Sequence, residues 1–199
     1  MFKVLALDAM GVIYQSGDDV GDLLIPFVRA NGGVESAGLI EQAYLECSLG
    51  SISNEELWRR LGVDPGLEEA YLDSHVLVDG LLEFLKSAVS RFDKIICISN
   101  DVSDWSAKLR AKFGLDEYID SWYISGEMKV RKPNGLIYET VLKREESLAT
   151  DILFVDDRPK NIESAQELGI NGVLFRSIEK PDCSVDSYRD LEVYLSKFD

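Results

Sequence analysis

The chain is expected to fold as an α/β protein, a Rossmann-like parallel sheet of about five strands with a small helical insertion. Three observations lead there. Short apolar runs alternate with helical periodicity along most of the chain, the pattern of strands joined by right-handed crossovers. Three of those runs end in polar residues able to carry chemistry: Asp8, Ser99-Asn100 and Asp156-Asp157. The stretch between the first two runs has helical patterns only.

In chain order, residues 3–7 read as a buried strand ended by Asp8, and Gly11 is spaced to turn the backbone sharply. Short helices are expected over 22–30, 35–49, 54–61 and 67–74. Ser53 and Glu56 stand at capping-box spacing ahead of the third of these. Gly50, Gly62, Pro65 and Gly66 punctuate the stretch. A helix over 79–89 returns the chain to a second strand, 94–98, followed by Ser99-Asn100-Asp101. Next come a helix over 102–113, a strand over 121–124, and Ser125-Gly126-Glu127 as a loop that sets up Lys132. Pro133 opens the way to a helix over 135–144. The strand 152–155 ends in Asp156-Asp157, and a helix over 159–168, a strand over 172–175 and a helix over 186–198 complete the chain.

Composition bounds the function. A length of 199 residues suits one core plus a modest insertion, and 46% hydrophobic residues suffice to bury it. Lys and Arg total 21 against 36 for Asp and Glu, a formal charge of −15. Such a surface repels nucleic acid and anionic membrane, so neither is an expected partner. Positive charge for an anionic substrate must be local, from Lys132 and from Arg131 or Arg158. Cys47, Cys97 and Cys183 are odd in number and widely spaced, which argues against disulfides and zinc. No leader pattern and no membrane-length apolar run is present, so a cytoplasmic location is expected.

The strand ends carry the chemistry. Ligands of open α/β sheets bind outside the carboxyl ends of the strands. Carboxylates converging there repel one another unless a cation joins them, and oxygen ligands beside a phosphate suit Mg²⁺. The Ser99 hydroxyl and Lys132 complete a site for an anionic group.

These residues, in this order, resemble the four motifs of the haloacid dehalogenase-like (HAD) hydrolase superfamily, from the first strand to about Gly169. The resemblance implies Asp8 as nucleophile, Ser99 as phosphate-binding hydroxyl, Lys132 as bridging cation and Asp156-Asp157 as the metal pair. It places Mg²⁺ on Asp8, the Met10 carbonyl and Asp157, with Asp156 bound directly or through water. Asn100, Met10 and Gly11 are the further substrate contacts. It also implies that residues 15–78 form a helical cap over a core of residues 1–14 and 79–199.

One position departs from the pattern. Phosphatases of the family carry a second Asp two residues after the nucleophile as general acid and base, and here that residue is Met10. The family's haloacid dehalogenases have Tyr there and use no metal, whereas the Asp156-Asp157 pair looks like the phosphate-processing branches. A Mg²⁺-dependent phosphatase of a small phosphorylated metabolite is the first reading. A carbon–halogen hydrolase and a binding or regulatory protein with little turnover are the alternatives. Met10 is expected to restrict a phosphatase to substrates with good leaving groups.

Other polar residues read as structural. His75, the only histidine, lies in a connector with no nucleophile motif nearby. Arg59 and Arg60 fit an exposed helix face as well as an anion site. Asp101 is expected to start the next helix, and Asn161 to brace the acidic loop. No Gly-rich nucleotide loop occurs.

Overall fold

The computed structural model describes residues 2–176 and 184–198, so Cys183 lies outside the described residues. Its strands are β1 (Val4–Leu7), β2 (Lys94–Ser99), β3 (Ser121–Ile124), β4 (Ile152–Asp156), β5 (Asn171–Phe175) and β6 (Ser184–Val185). They pair in parallel as one sheet in the order β3-β2-β1-β4-β5-β6. The five expected strands are all present. The sixth, two residues long, is too short to show a period.

Strand alternation divides the core. Leu5, Leu7, Ile95, Cys97, Leu153 and Val155 pack on one face, and Val4, Ala6, Ile96, Ile98, Ile152 and Phe154 on the other. Burial on both faces explains why these strands read as continuous apolar runs. With β1 central, Leu7 pairs with Cys97 on one side and Val155 on the other. This register carries Asp8, Ser99 and Asp156 to the same edge.

Between β1 and β2 the chain is helical, as expected. A π-helical turn (Val20–Leu24) runs into α1 (Ile25–Ala30), followed by α2 (Ala37–Cys47) and α3 (Asn54–Leu61). A 3₁₀ turn (Pro65–Leu67) then leads into α4 (Glu68–Leu72). Ser53 Oγ accepts the Glu56 N–H at 3.1 Å, which is half of the expected capping box. The Glu56 carboxylate turns away to Arg59 and Arg60 instead. The connectors into and out of this segment pair with each other: Gln15 N donates to Val76 O and Val78 N to Ile13 O, both at 2.9 Å.

The core helices are α5 (Leu81–Ala88), α6 (Ser103–Lys112), α7 (Ser125–Met128), α8 (Gly135–Glu145), α9 (Pro159–Glu167) and α10 (Tyr188–Leu195). Residues 125–127, expected as a loop, instead form α7. The Ser125 hydroxyl is buried there, donating to Ser48 O at 2.6 Å and accepting the Asp101 N–H at 3.0 Å. Those tertiary bonds hold a turn too short to show a helical period.

Glu68 fastens the helical segment to α6. Its carboxylate is buried and accepts from Asn54 Nδ2 (2.6 Å), Trp58 Nε1 (2.5 Å), Trp105 Nε1 (3.0 Å) and Lys108 Nζ. Burial opposes the charge, yet these four donors bring its pKa below the usual value. Among the described residues, no helix is long and apolar enough to cross a membrane.

Candidate active site

Lys132 is the hub of the strand-end site. Its ammonium is almost wholly buried and lies 2.7 Å from both Asp8 Oδ1 and Asp156 Oδ2. Asn100 sets its place through the backbone, accepting the Lys132 N–H at 2.8 Å and donating to the Lys132 carbonyl at 2.9 Å. Burial works against the ammonium, but Asp156 and Asp8 hold its pKa above the ordinary value.

Asp8 sits where β1 ends, its own N–H donating to Val155 O at 2.9 Å. One carboxylate oxygen accepts the Ala9 N–H at 2.6 Å. Burial, then the charge of Asp156, pushes its pKa well up against the pull of Lys132.

The adjacent pair Asp156-Asp157 divides into two environments. Both Asp156 oxygens are engaged, by Lys132, by Asn161 Nδ2 at 3.0 Å to each, and by the Arg158 N–H at 2.8 Å. Asn161 therefore braces the acidic loop, as expected. Asp157 Oδ1, by contrast, is buried with no hydrogen-bond partner. Burial, then Asp156, raises the Asp157 pKa to about 6. Oxygens of Asp8, Asp156 and Asp157 lie within 4.8 Å of one another.

Gly11 makes room for this arrangement. Its φ of +80° is left-handed, and a Cβ there would meet Asp157 Oδ2 at 2.4 Å. No other residue type fits beside that carboxylate without displacing it.

The site opens into a cavity of about 260 Å³. Asp8, Met10, Ser99, Asn100 and Lys132 line it, so the expected substrate contacts converge except Gly11, which is not in the lining and packs against the Asp157 side chain. The Ser99 hydroxyl is buried and unpartnered. Asp18, Asp19, Glu41, Tyr44 and Leu45 from the helical segment line the same cavity, as do Arg131 and Arg158. Arg158 Nη2 donates to Gly17 O at 2.8 Å, and the Arg131 guanidinium stands 5.6 Å from the Tyr44 ring.

Other residues fall outside the site. Arg59 and Arg60 pair with Glu56, and Arg60 also with Glu46 at 2.7 Å, away from the cavity. His75 is buried between the rings of Tyr14 and Tyr71, and burial lowers its pKa to about 4, so it stays neutral. Asp101 differs from the expectation. Val102, not Asp101, is the residue that caps α6, and the buried Asp101 carboxylate accepts only the Val102 N–H at 2.7 Å, leaving Oδ2 unpartnered. Asp19, given no role by the sequence, is buried in the cavity wall with Oδ2 unpartnered. The acidic pair Asp18-Asp19 close after the first strand was its only signal.

A parallel sheet with a lysine-bridged carboxylate cluster at its strand ends is the framework on which the family comparison bears. The haloacid dehalogenase-like hydrolase family model matches residues 2–169, and the chain belongs to that family. It is 28% identical over 193 residues to flavin mononucleotide hydrolase 1, chloroplastic, of Arabidopsis thaliana, covering 89% of this chain and 77% of that protein. Two of the solved structures that share the fold illustrate its range. One is a HAD-family enzyme variant from Bacteroides thetaiotaomicron, complexed with magnesium and inorganic phosphate. It is 20% identical with a TM-score of 0.73, over 92% of this chain and 98% of that one. The other is L-2-haloacid dehalogenase from Xanthobacter autotrophicus with chloropropionic acid covalently bound. It is 18% identical with a TM-score of 0.70, over the whole of both chains.

Proposed function

We propose that the protein is a Mg²⁺-dependent phosphatase of a small phosphorylated metabolite, with Asp8 as nucleophile. The observation that carries this reading is the charge imbalance at the strand ends. Three carboxylates share Lys132, with only the Arg158 charge besides, and Asp157 Oδ1 has no partner. A cluster of that kind is relieved by a divalent cation with oxygen ligands. The donors fit: Asp8, the Met10 carbonyl and Asp157 would hold the ion, with Asp156 within reach although its own oxygens serve Lys132 and Asn161. When bound, Mg²⁺ offsets the repulsion between the Asp8 carboxylate and a phosphate.

The chain's own groups do the rest. Lys132 and the unpartnered Ser99 hydroxyl hold the phosphate oxygens, and Asn100 fixes Lys132. Asp8 attacks phosphorus in line and forms an aspartyl-phosphate, splitting one hard step into two. Residues 15–78 act as a cap whose wall faces the strand ends and selects the leaving group. A cavity of about 260 Å³ suits a small metabolite. The flavin mononucleotide hydrolase relative and the fold neighbour with magnesium and phosphate support this choice among HAD activities. The buried free thiols of Cys47 and Cys97 suit a reducing compartment such as the cytoplasm.

The test is a Mg²⁺-supplemented screen of phosphorylated metabolites and haloacids, with Asp8→Asn as the blank and Mg²⁺ thermal shifts on wild type and Asp157→Asn. Phosphate release that needs Mg²⁺ and Asp8, with a shift in wild type alone, is expected. Equal shifts in both proteins would remove the metal assignment. Halide release without metal would put the dehalogenase reading in its place.

A further inference from the structure

A phosphatase without an acid at Met10 needs a proton donor from elsewhere, and in-line geometry says where. Asp8 attacks from the sheet side, so the bond to the leaving oxygen breaks toward the opposite wall. The water that later cleaves the aspartyl-phosphate must approach from that same side. One group on the far wall can therefore serve both steps.

The helical segment brings four titratable side chains to the cavity: Asp18, Asp19, Glu41 and Tyr44. Asp18 and Glu41 are exposed, and Asp18 accepts the Gly21 N–H at 3.2 Å. The Tyr44 hydroxyl donates to Asn100 O at 3.1 Å, and burial raises its pKa well above the ordinary value, so it is no base. Asp19 is the exception: 5% exposed, in the cavity wall, with Oδ2 free of any partner. The Val20 N–H supports the carboxylate, but a buried oxygen left without a donor is costly unless it has a use.

We infer that Asp19 is the general acid and base of this enzyme, facing Asp8 across the cavity and doing the work that Met10 leaves undone. The inference rests on the phosphatase reading. In the first step Asp8 forms its bond to phosphorus, the bond to the leaving oxygen breaks, and the Asp19 proton passes to that oxygen. In the second, the Asp19 carboxylate takes a proton from water as its oxygen attacks the aspartyl-phosphate. Inorganic phosphate leaves, Asp8 is regenerated, and Asp19 is again protonated.

The electrostatic setting suits both halves. Burial, then Asp18, raises the Asp19 pKa to about 6, against the pull of Arg158 and Arg131. Asp101, Tyr44 and Tyr71 also feel its charge. An acid poised near neutrality exchanges its proton readily in either direction.

The experiment compares wild type and Asp19→Asn, with Mg²⁺, on glycerol 2-phosphate and nitrophenyl phosphate. Glycerol 2-phosphate needs its leaving oxygen protonated, so its kcat/KM should fall by about 10²–10⁴-fold. Nitrophenolate leaves unaided, so Asp19→Asn should release a burst of one equivalent per site and then stall as phosphoenzyme. That burst also proves the variant folded. In wild type kcat/KM for the alkyl ester should decline as pH rises through about 6, and Asp19→Asn should lose that limb. Adding Met10→Asp to Asp19→Asn should restore alkyl ester turnover. An alkyl ester rate within threefold of wild type, or a variant with no burst, overturns the role of Asp19 and leaves the phosphatase reading standing. Wild type inert on both esters overturns the two together.

Discussion

Two buried ionic clusters in this protein are built from the same kinds of residue with opposite balance. At Glu68 one carboxylate receives four donors, from Asn54, Trp58, Trp105 and Lys108, and its pKa falls. At Lys132 one ammonium faces Asp8 and Asp156 with Asp157 alongside, and the pKa values of Asp8 and Asp157 rise. The first cluster is closed, every charge matched by a donor, and it joins two parts of the fold. The second holds surplus negative charge and unpartnered oxygens at the end of a cavity. A fold keeps such an arrangement only where something else completes it. The contrast separates a structural carboxylate from a chemical one without reference to position in the chain.

Removing each hub tests the contrast most strongly. Lys132→Met leaves two buried carboxylates without their cation, a loss of about 3–5 kcal/mol. For a chain of this size that is on the order of 10 °C in melting temperature, read by calorimetry, and activity should vanish with it. Added Mg²⁺ should recover part of the melting temperature, because the surplus negative charge is then greater. A variant as stable as wild type would mean that Lys132 is not the hub.

Glu68→Ala should cost less, roughly 3 kcal/mol, for the indole and amide N–H groups left without an acceptor. Its signature differs: no recovery by Mg²⁺. Recovery by Mg²⁺ equal to that of Lys132→Met would erase the distinction between the clusters.

Asp157→Asn should have the smallest effect, and in the opposite direction. A carboxyl whose pKa folding raises to about 6 binds its proton more tightly in the native state. Its destabilisation is fully present above that pH and disappears as pH falls toward the unfolded value near 4. In EDTA, Asp157→Asn should therefore melt a few degrees above wild type at pH 7, the gap closing by about pH 4.5. A gap independent of pH would show that Asp157 carries no strain.

The strand ends were legible because apolar runs and their terminators are local patterns. Asp8, Ser99, Lys132 and Asp156-Asp157 could be placed at one edge once the resemblance to the HAD motifs put the first strand at the centre of the alternating strands and helices. Burial of charge was not legible. Glu68 sits in a Leu-Glu-Glu-Ala stretch that reads as a helix face, and only Trp58 and Trp105, from separate helices, make it a core residue. Asp19 and Asp101 look like ordinary helix starters, and distant packing removes them from water. Arg59 and Arg60 drew notice as possible anion ligands, but nearby glutamates engage them. The short α7 turn and the two-residue β6 fall below any detectable period.

Asn100 grips Lys132 through its main chain, by one bond in each direction, and leaves the side chain to the carboxylates. The ammonium is thereby stationed by the folded backbone, before any ligand arrives. Electrostatic work that a solvent would have to perform at each turnover, by reorienting dipoles, is completed here once, during folding. The charge at the strand ends is already in place in the free protein, and the rest of the molecule carries the stability that such preorganisation withholds from the site.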